Sequence, residues 1–189
     1  MAFAGRTEPL ILGDILRKHG RILEHGDEAR FWDAVFAHIR ELLRPARGRL
    51  LPGVIRVLDR IAAEPGWVLG LLTGNMTEMA RIKLAHFGLD GRFTFGAYGE
   101  QAESRDALAR RAVAEAGRRY GVPPRCCVVV GDTEHDIACA RAAGARVVAV
   151  ATGGRTRAEL EALAPDLALD DLGDPAPLMA WARSVAARE

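Results

Sequence analysis

Two short strings of this chain hold residue types that do chemistry. The first is Gly131-Asp132-Thr133-Glu134-His135-Asp136. Its glycine permits a tight turn, and its carboxylates at Asp132 and Asp136 stand four residues apart, where the start of a helix can aim both at one spot. Hard cations such as Mg2+ are held by one or two protein carboxylates, with water and substrate oxygens completing the shell. Asp132 and Asp136 are therefore candidate metal ligands. The competing role is helix capping, since Asp132 or Thr133 can accept from the free backbone amides there. His135 is expected to point along the helix, away from a metal, as neutral scaffolding. The second string is Thr73-Gly74-Asn75, a hydroxyl and several unpaired amides at the positive end of a helix dipole. Such a place takes anions, most often phosphate, so all three residues are candidate phosphate ligands. An ordinary capped strand-to-helix turn has the same composition.

These strings matter because of the elements that carry them. Residues 1–48 read as a helical hairpin: Thr7 can cap a helix reaching Lys18, and Phe31, Trp32, Val35, Phe36, Ile39, Leu42 and Leu43 recur at helical spacing in a second helix from Asp27 to Pro45. From residue 49 the pattern alternates helix and strand. Strands are expected at Trp67 to Leu72, Phe93 to Phe95, Cys126 to Val130, Val147 to Ala151 and Leu167 to Leu169. The helices between them end at Gly88, Gly121 and Gly144, and a last one spans Leu178 to Ala187. This is the rhythm of βαβ units in a parallel sheet, an α/β fold. Ligands of such sheets sit beyond the carboxyl ends of the strands, which is where both strings lie.

Composition narrows the classes. The chain has 189 residues, 49% hydrophobic and 27% charged, with 26 basic and 25 acidic groups. A near-neutral chain of this length buries about two thirds of its unfolded surface and needs no staples. The balance speaks against a disordered acidic protein and a nucleic-acid binder. Only two of the basic residues are lysines, Lys18 and Lys83; this bias carries no functional weight. Cys126, Cys127 and Cys139 lack metal-like spacing and suit a reducing cytoplasm. No membrane span or export signal is expected.

Taken together, the two strings resemble the haloacid dehalogenase superfamily, specifically its phosphatases of the phosphoglycolate phosphatase type. Pro52-Gly53, Ala140-Arg141-Ala142-Ala143-Gly144, Gly153-Gly154 and Leu169-Asp170-Asp171-Leu172 are similar to that family in the same order, so the resemblance covers essentially the whole chain. It implies a Rossmann-like three-layer α/β/α core over residues 49–189 and a partial helical cap over 1–48. It implies Mg2+-dependent hydrolysis of small phosphorylated metabolites, with Thr73 on the transferring phosphoryl group and Gly131-Asp132 with Asp136 on the metal. The family's basic residue is usually a lysine in a Lys-Pro pair, absent here. Arg105 is the candidate replacement, because a guanidinium can bridge a phosphate oxygen and a carboxylate; a solvated arginine is the plain alternative. Lys83 is expected to face away from the strand ends. The cap loop that touches substrate resembles Gly5-Arg6-Thr7, where Arg6 can read a carboxylate or second phosphate, or the loop simply precedes the Thr7 cap.

The family's Asp-x-Asp-Gly-Thr segment has no counterpart: none of the aspartates forms an Asp-x-Asp pair, and Met1 already lies in what resembles the cap. An N-terminal truncation is therefore expected, removing the nucleophile, the general acid and the first, central core strand between Trp67 to Leu72 and Cys126 to Val130. Loss of one strand leaves a gap of about 10 Å and two rows of unpaired backbone groups. The strands close up, another chain fills the slot, or these residues are part of a longer protein. As it stands the chain is expected to be inactive. The alternative is a non-catalytic remnant or a module binding a phosphorylated ligand or a partner strand. Haloacid dehalogenation has no use for the acidic string. Substrate identity and oligomeric state do not follow from the sequence.

Overall fold

Arg146–Val150 shows most directly why the chain folds as it does. Four of its five residues are buried, and their side chains alternate between two apolar clusters, as a pleated strand requires. Val147 and Ala149 pack with Ile137, Ala140 and Leu160 on one face, while Val148 and Val150 pack with Val57, Leu169 and Leu178 on the other. A strand buried on both faces lies between two helical layers.

The computed structural model describes residues 6–24, 26–44 and 48–187. In order, these form helices α1 (Glu8–Lys18), α2 (Asp27–Leu43) and α3 (Val54–Ala63), strand β1 (Gly70–Leu72), α4 (Thr77–His86), β2 (Phe95–Ala97), α5 (Arg105–Tyr120), β3 (Val128–Gly131), α6 (Glu134–Ala142), β4 (Arg146–Val150), α7 (Arg157–Glu161), β5 (Leu167–Leu169) and α8 (Ala176–Ala186). Every strand pair is parallel, with Gly70 opposite Phe95, Val128 opposite Arg146 and Val148 opposite Leu167. The α/β class with parallel strands is as the periodicity predicts. Helices α5 and α6 touch each other on one side, α5 covering β1 and β2 and α6 covering β3 and β4.

The middle layer is divided. It holds a two-stranded sheet, β1-β2, and a three-stranded sheet, β3-β4-β5. The strands flanking the division are shorter than expected. Trp67 to Leu69 precede the ladder because β1 has a single partner, three residues long. Cys126 falls in a short 3-10 turn, Pro124–Cys126: Pro123 and Pro124 have no N–H to give a ladder, so β3 begins at Val128.

Helices α1 and α2 pack Leu12, Trp32 and Phe36 against Met79 and Ile82 of α4, with Trp32 and Phe36 stacked at 6.0 Å. The start of α1 rests on the loop after β1, where the Glu8 N–H donates to the Gly74 carbonyl at 2.8 Å. A side-chain carbon at Gly74 would collide with the Arg6 carbonyl, so only glycine permits this approach.

Candidate active site at the ends of β1 and β3

The loop from β3 to α6 is organised by Asp136. Its Oδ2 accepts from the Asp132 N–H at 3.1 Å, the Thr133 N–H at 3.0 Å and the Thr133 hydroxyl at 2.8 Å. Its Oδ1 pairs with the Arg105 guanidinium. Asp136 is 4% exposed and has spent most of its acceptor capacity on the loop and on Arg105. The two carboxylates are placed differently: Asp136 clamps the turn, and among the described residues Asp132 is the one left open. Among the described residues no side chain donates to Asp132, which packs against Gly153, where a side-chain carbon would meet its carboxylate. Arg155, two residues on, binds Glu134 at 2.7 Å and so ties the loop after β4 to the loop after β3. His135 is exposed.

Arg105 opens α5, whose cap is the Ser104 hydroxyl accepting from Ala107 N–H at 3.1 Å. Its side chain is 19% exposed, and its Nε is buried with no partner. Arg105 thus lies against the loop after β3, where it holds Asp136, and is not a free solvated arginine.

The loop from β1 to α4 differs from the open anion site expected of Thr73, Gly74 and Asn75. The amides that begin α4 are occupied by the protein's own carboxylates. Met76 N–H donates to Glu8 at 2.7 Å and Thr77 N–H to Glu100 at 3.0 Å. The Asn75 side chain is taken as well: its amide donates to Glu8 at 3.0 Å, and its oxygen accepts from Lys83 Nζ at 3.0 Å. Lys83 therefore reaches back toward the strand ends, contrary to the orientation expected for a regular helix; its long stem spans the two turns. Thr73 accepts from Asn75 N–H at 3.1 Å, which leaves its hydroxyl proton uncommitted among the described residues. Thr73 and the Gly74 backbone are what remain for an anion.

Glu8 is the site residue the sequence reading missed. Its partners lie 67 and 68 residues away, and only the acidic residue just after Thr7 hinted at it. Burial pushes its carboxyl above the ordinary range, against the Met76 amide and Lys83, which lower it. A carboxyl raised in the folded state favours folding most below its unfolded range and loses that contribution as pH climbs through the raised value. Relative to the wild type, Glu8→Gln is expected to gain stability between pH 4 and pH 7, read as the difference in urea midpoint at the two pH values; an unchanged difference would contradict this.

Arg6 is paired with Asp14, which Arg17 also binds at 2.9 Å, so its guanidinium is committed within α1. Gly5 lies outside the described residues. Thr7 takes the N-cap position without a side-chain cap bond. It is 1% exposed, and its hydroxyl oxygen has no partner. An unpaired buried hydroxyl costs about 1 to 3 kcal/mol, so Thr7→Val, of equal shape, is expected to raise stability by about 1 kcal/mol in urea unfolding. A loss of that size would show that the hydroxyl is satisfied.

A hard divalent cation fits this loop through one residue. Burial and then the Asp136 charge hold the Asp132 carboxyl above its ordinary range, the condition a cation relieves. Among the described residues no three acidic, histidine or cysteine side chains converge, so Asp132 would be the carboxylate ligand, with Asp136 fixing its loop.

The comparisons with known proteins agree with this geometry. The chain matches the HAD-hydrolase-like family over residues 107–175. It is 31% identical over 160 residues to the phosphoglycolate phosphatase of Synechococcus elongatus, covering 85% of this chain and 71% of that protein. It is 31% identical over 123 residues to the phosphoglycolate phosphatase of Haemophilus influenzae, where it covers 65% of this chain and 54% of that one; the chain spans about half the length of that relative. Among solved structures, a predicted phosphoglycolate phosphatase from Haemophilus somnus aligns with a TM-score of 0.62 at 24% identity, over 87% of this chain and 72% of its own. A β-phosphoglucomutase from Clostridium difficile aligns with a TM-score of 0.72 at 15% identity, over 97% and 80%, which speaks for the fold alone. The likeness to the Synechococcus protein, which spans most of both chains, places this chain in the haloacid dehalogenase superfamily, among its phosphoglycolate phosphatase-like members.

Proposed function

We propose that these residues form the core and part of the cap of a Mg2+-dependent phosphomonoesterase for small phosphorylated metabolites. The observation that carries this reading is the pairing of an open carboxylate, Asp132, after β3 with an uncommitted hydroxyl, Thr73, after β1, the two strands that border the division of the sheet. Asp132 would hold the cation, which when bound supplies positive charge to the phosphoryl oxygens. Asp136 keeps the Asp132 loop in place, and Arg105 keeps Asp136 oriented. The Thr73 hydroxyl would donate a hydrogen bond to a phosphoryl oxygen. Arg6, bound to Asp14, reads a substrate anion only by giving up that pair. Residues 1–48 act as cap and 49–189 as core, in the reducing cytoplasm that three free cysteines suit.

Covalent phosphoryl transfer needs a nucleophile and a general acid. No Asp-x-Asp pair exists in the 189 residues, so these residues alone bind phosphate without turning it over. Reading the genomic frame upstream of Met1 tests this. An in-frame apolar strand followed by Asp-x-Asp-Gly-Thr is the expected result. An in-frame stop there would turn the reading to the non-catalytic one, a module that binds a phosphorylated ligand.

A further inference from the structure

Arg6 has its backbone on the loop after β1 and its charge elsewhere. Its carbonyl lies against Gly74, with no room for a side-chain carbon between them, and two residues on the Glu8 N–H donates to the Gly74 carbonyl at 2.8 Å. The backbone of Arg6 is thereby fixed beside the turn that presents Thr73. Its guanidinium is held on Oδ2 of Asp14 in α1.

Asp14 has a second cation, since Arg17 donates to its other oxygen, Oδ1, at 2.9 Å. The two arginines hold it differently. Arg17 follows Asp14 by three residues in the same helix, the spacing at which side chains of one face meet, and it lies in the last turn of α1, where a cation also answers the helix dipole. Arg6 precedes the helix, eight residues from Asp14, and its side chain is 33% exposed. An ion pair so open to solvent adds little stability. Asp14 therefore keeps a cation when Arg6 leaves. Arg6 gives up one carboxylate, a partner that the carboxylate of a ligand replaces in kind.

We propose that Asp14 is a built-in competitor for Arg6 and that Arg17 sets the strength of the competition: a phosphate ester that carries a carboxylate takes Arg6 from Asp14, and Arg17, by staying on Asp14, lowers the cost of the exchange. Apparent affinity falls with the fraction of molecules whose binding residue is free, so both residues tune selection of such a substrate without touching it. They are positioning residues that act through Arg6. The inference rests on the phosphatase reading, which puts the phosphoryl group at Thr73. Its probes are phosphonoacetate, with a carboxylate beside its phosphonate, and methylphosphonate, which lacks the carboxylate. Each is titrated with Mg2+ into the 189-residue chain by calorimetry. The ratio of the two affinities reads the carboxylate alone, and because both are measured on one preparation it does not depend on the folded fraction.

Phosphonoacetate is expected to bind the wild type more tightly than methylphosphonate, and Arg6→Ala to abolish the preference. Asp14→Asn is expected to raise the ratio by about threefold and Arg17→Ala to lower it by about threefold, the scale of a partly exposed ion pair, while methylphosphonate affinity stays the same. In the Asp14→Asn background the Arg17→Ala effect is expected to vanish, because Arg17 acts through Asp14. An Arg17→Ala effect of equal size in that background would overturn the proposal, by showing a general field of the charge. A ratio unmoved by Asp14→Asn, with methylphosphonate still bound, would overturn it and leave the phosphatase reading standing. Absence of binding of both probes to the wild type would overturn the phosphatase reading and this proposal with it.

Discussion

Replacing Arg105 by alanine is expected to lower the unfolding free energy by about 3 to 5 kcal/mol, the cost of removing one partner from a buried ion pair. Arg105 and Asp136 are 19% and 5% exposed at their side chains, so solvent cannot replace the lost guanidinium. The same substitution leaves Asp136, which clamps Asp132 and Thr133, as an unpaired buried charge. Its effect therefore reaches the loop that carries the candidate metal ligand. Adding Asp136→Asn to Arg105→Ala removes that charge and is expected to recover part of the loss, which makes the coupling measurable in a double-mutant cycle by urea unfolding. A loss below about 0.5 kcal/mol for Arg105→Ala, the range of ordinary surface substitutions, would mean that the pair is solvated.

The second large effect is on turnover. The 189-residue chain is expected to hydrolyse a generic phosphate ester at less than about a thousandth of the rate of a relative that retains the Asp-x-Asp segment, the scale on which removal of a catalytic group acts. In the proposed site none of Thr73, Asp132 and Arg105 serves as the nucleophile: Arg105 is a cation bound to Asp136, Thr73 is a neutral hydroxyl with no base beside it among its described partners, and Asp132 would be taken up by the cation. Mg2+-dependent turnover at a relative's rate, by a preparation of verified intact mass, would contradict this.

Much of the fold was legible because its signals are local. The helical spacing of Trp32 and Phe36, the β-branched run at residues 147–150 and the glycines that end α5 and α6 all act through neighbours in sequence. The short helix α7 escaped notice although a signal existed: Thr156 and Glu159 form a reciprocal cap, with the Thr156 N–H donating to Glu159 at 2.7 Å. The site was legible as a set of residues and less so as a set of roles. Asp132 and Asp136 have the same chemistry in the sequence, and what separates them is Arg105, 31 residues away. Likewise, the Thr73 loop promises free amides until Glu8 and Glu100 arrive from distant elements to cap them. Lys83 was misjudged because helical direction describes where a side chain starts, and a flexible four-carbon stem ends elsewhere.

The most direct test of the account is calorimetric titration of inorganic phosphate into the 189-residue chain with and without Mg2+, repeated for Asp132→Asn and Thr73→Val. The account predicts phosphate binding that requires Mg2+ and weakens at least tenfold in each variant, while both variants still unfold in a single cooperative urea transition. Phosphate binding of equal strength without Mg2+, or unchanged in both variants, would contradict the placement of a metal-assisted phosphate site at the ends of β1 and β3.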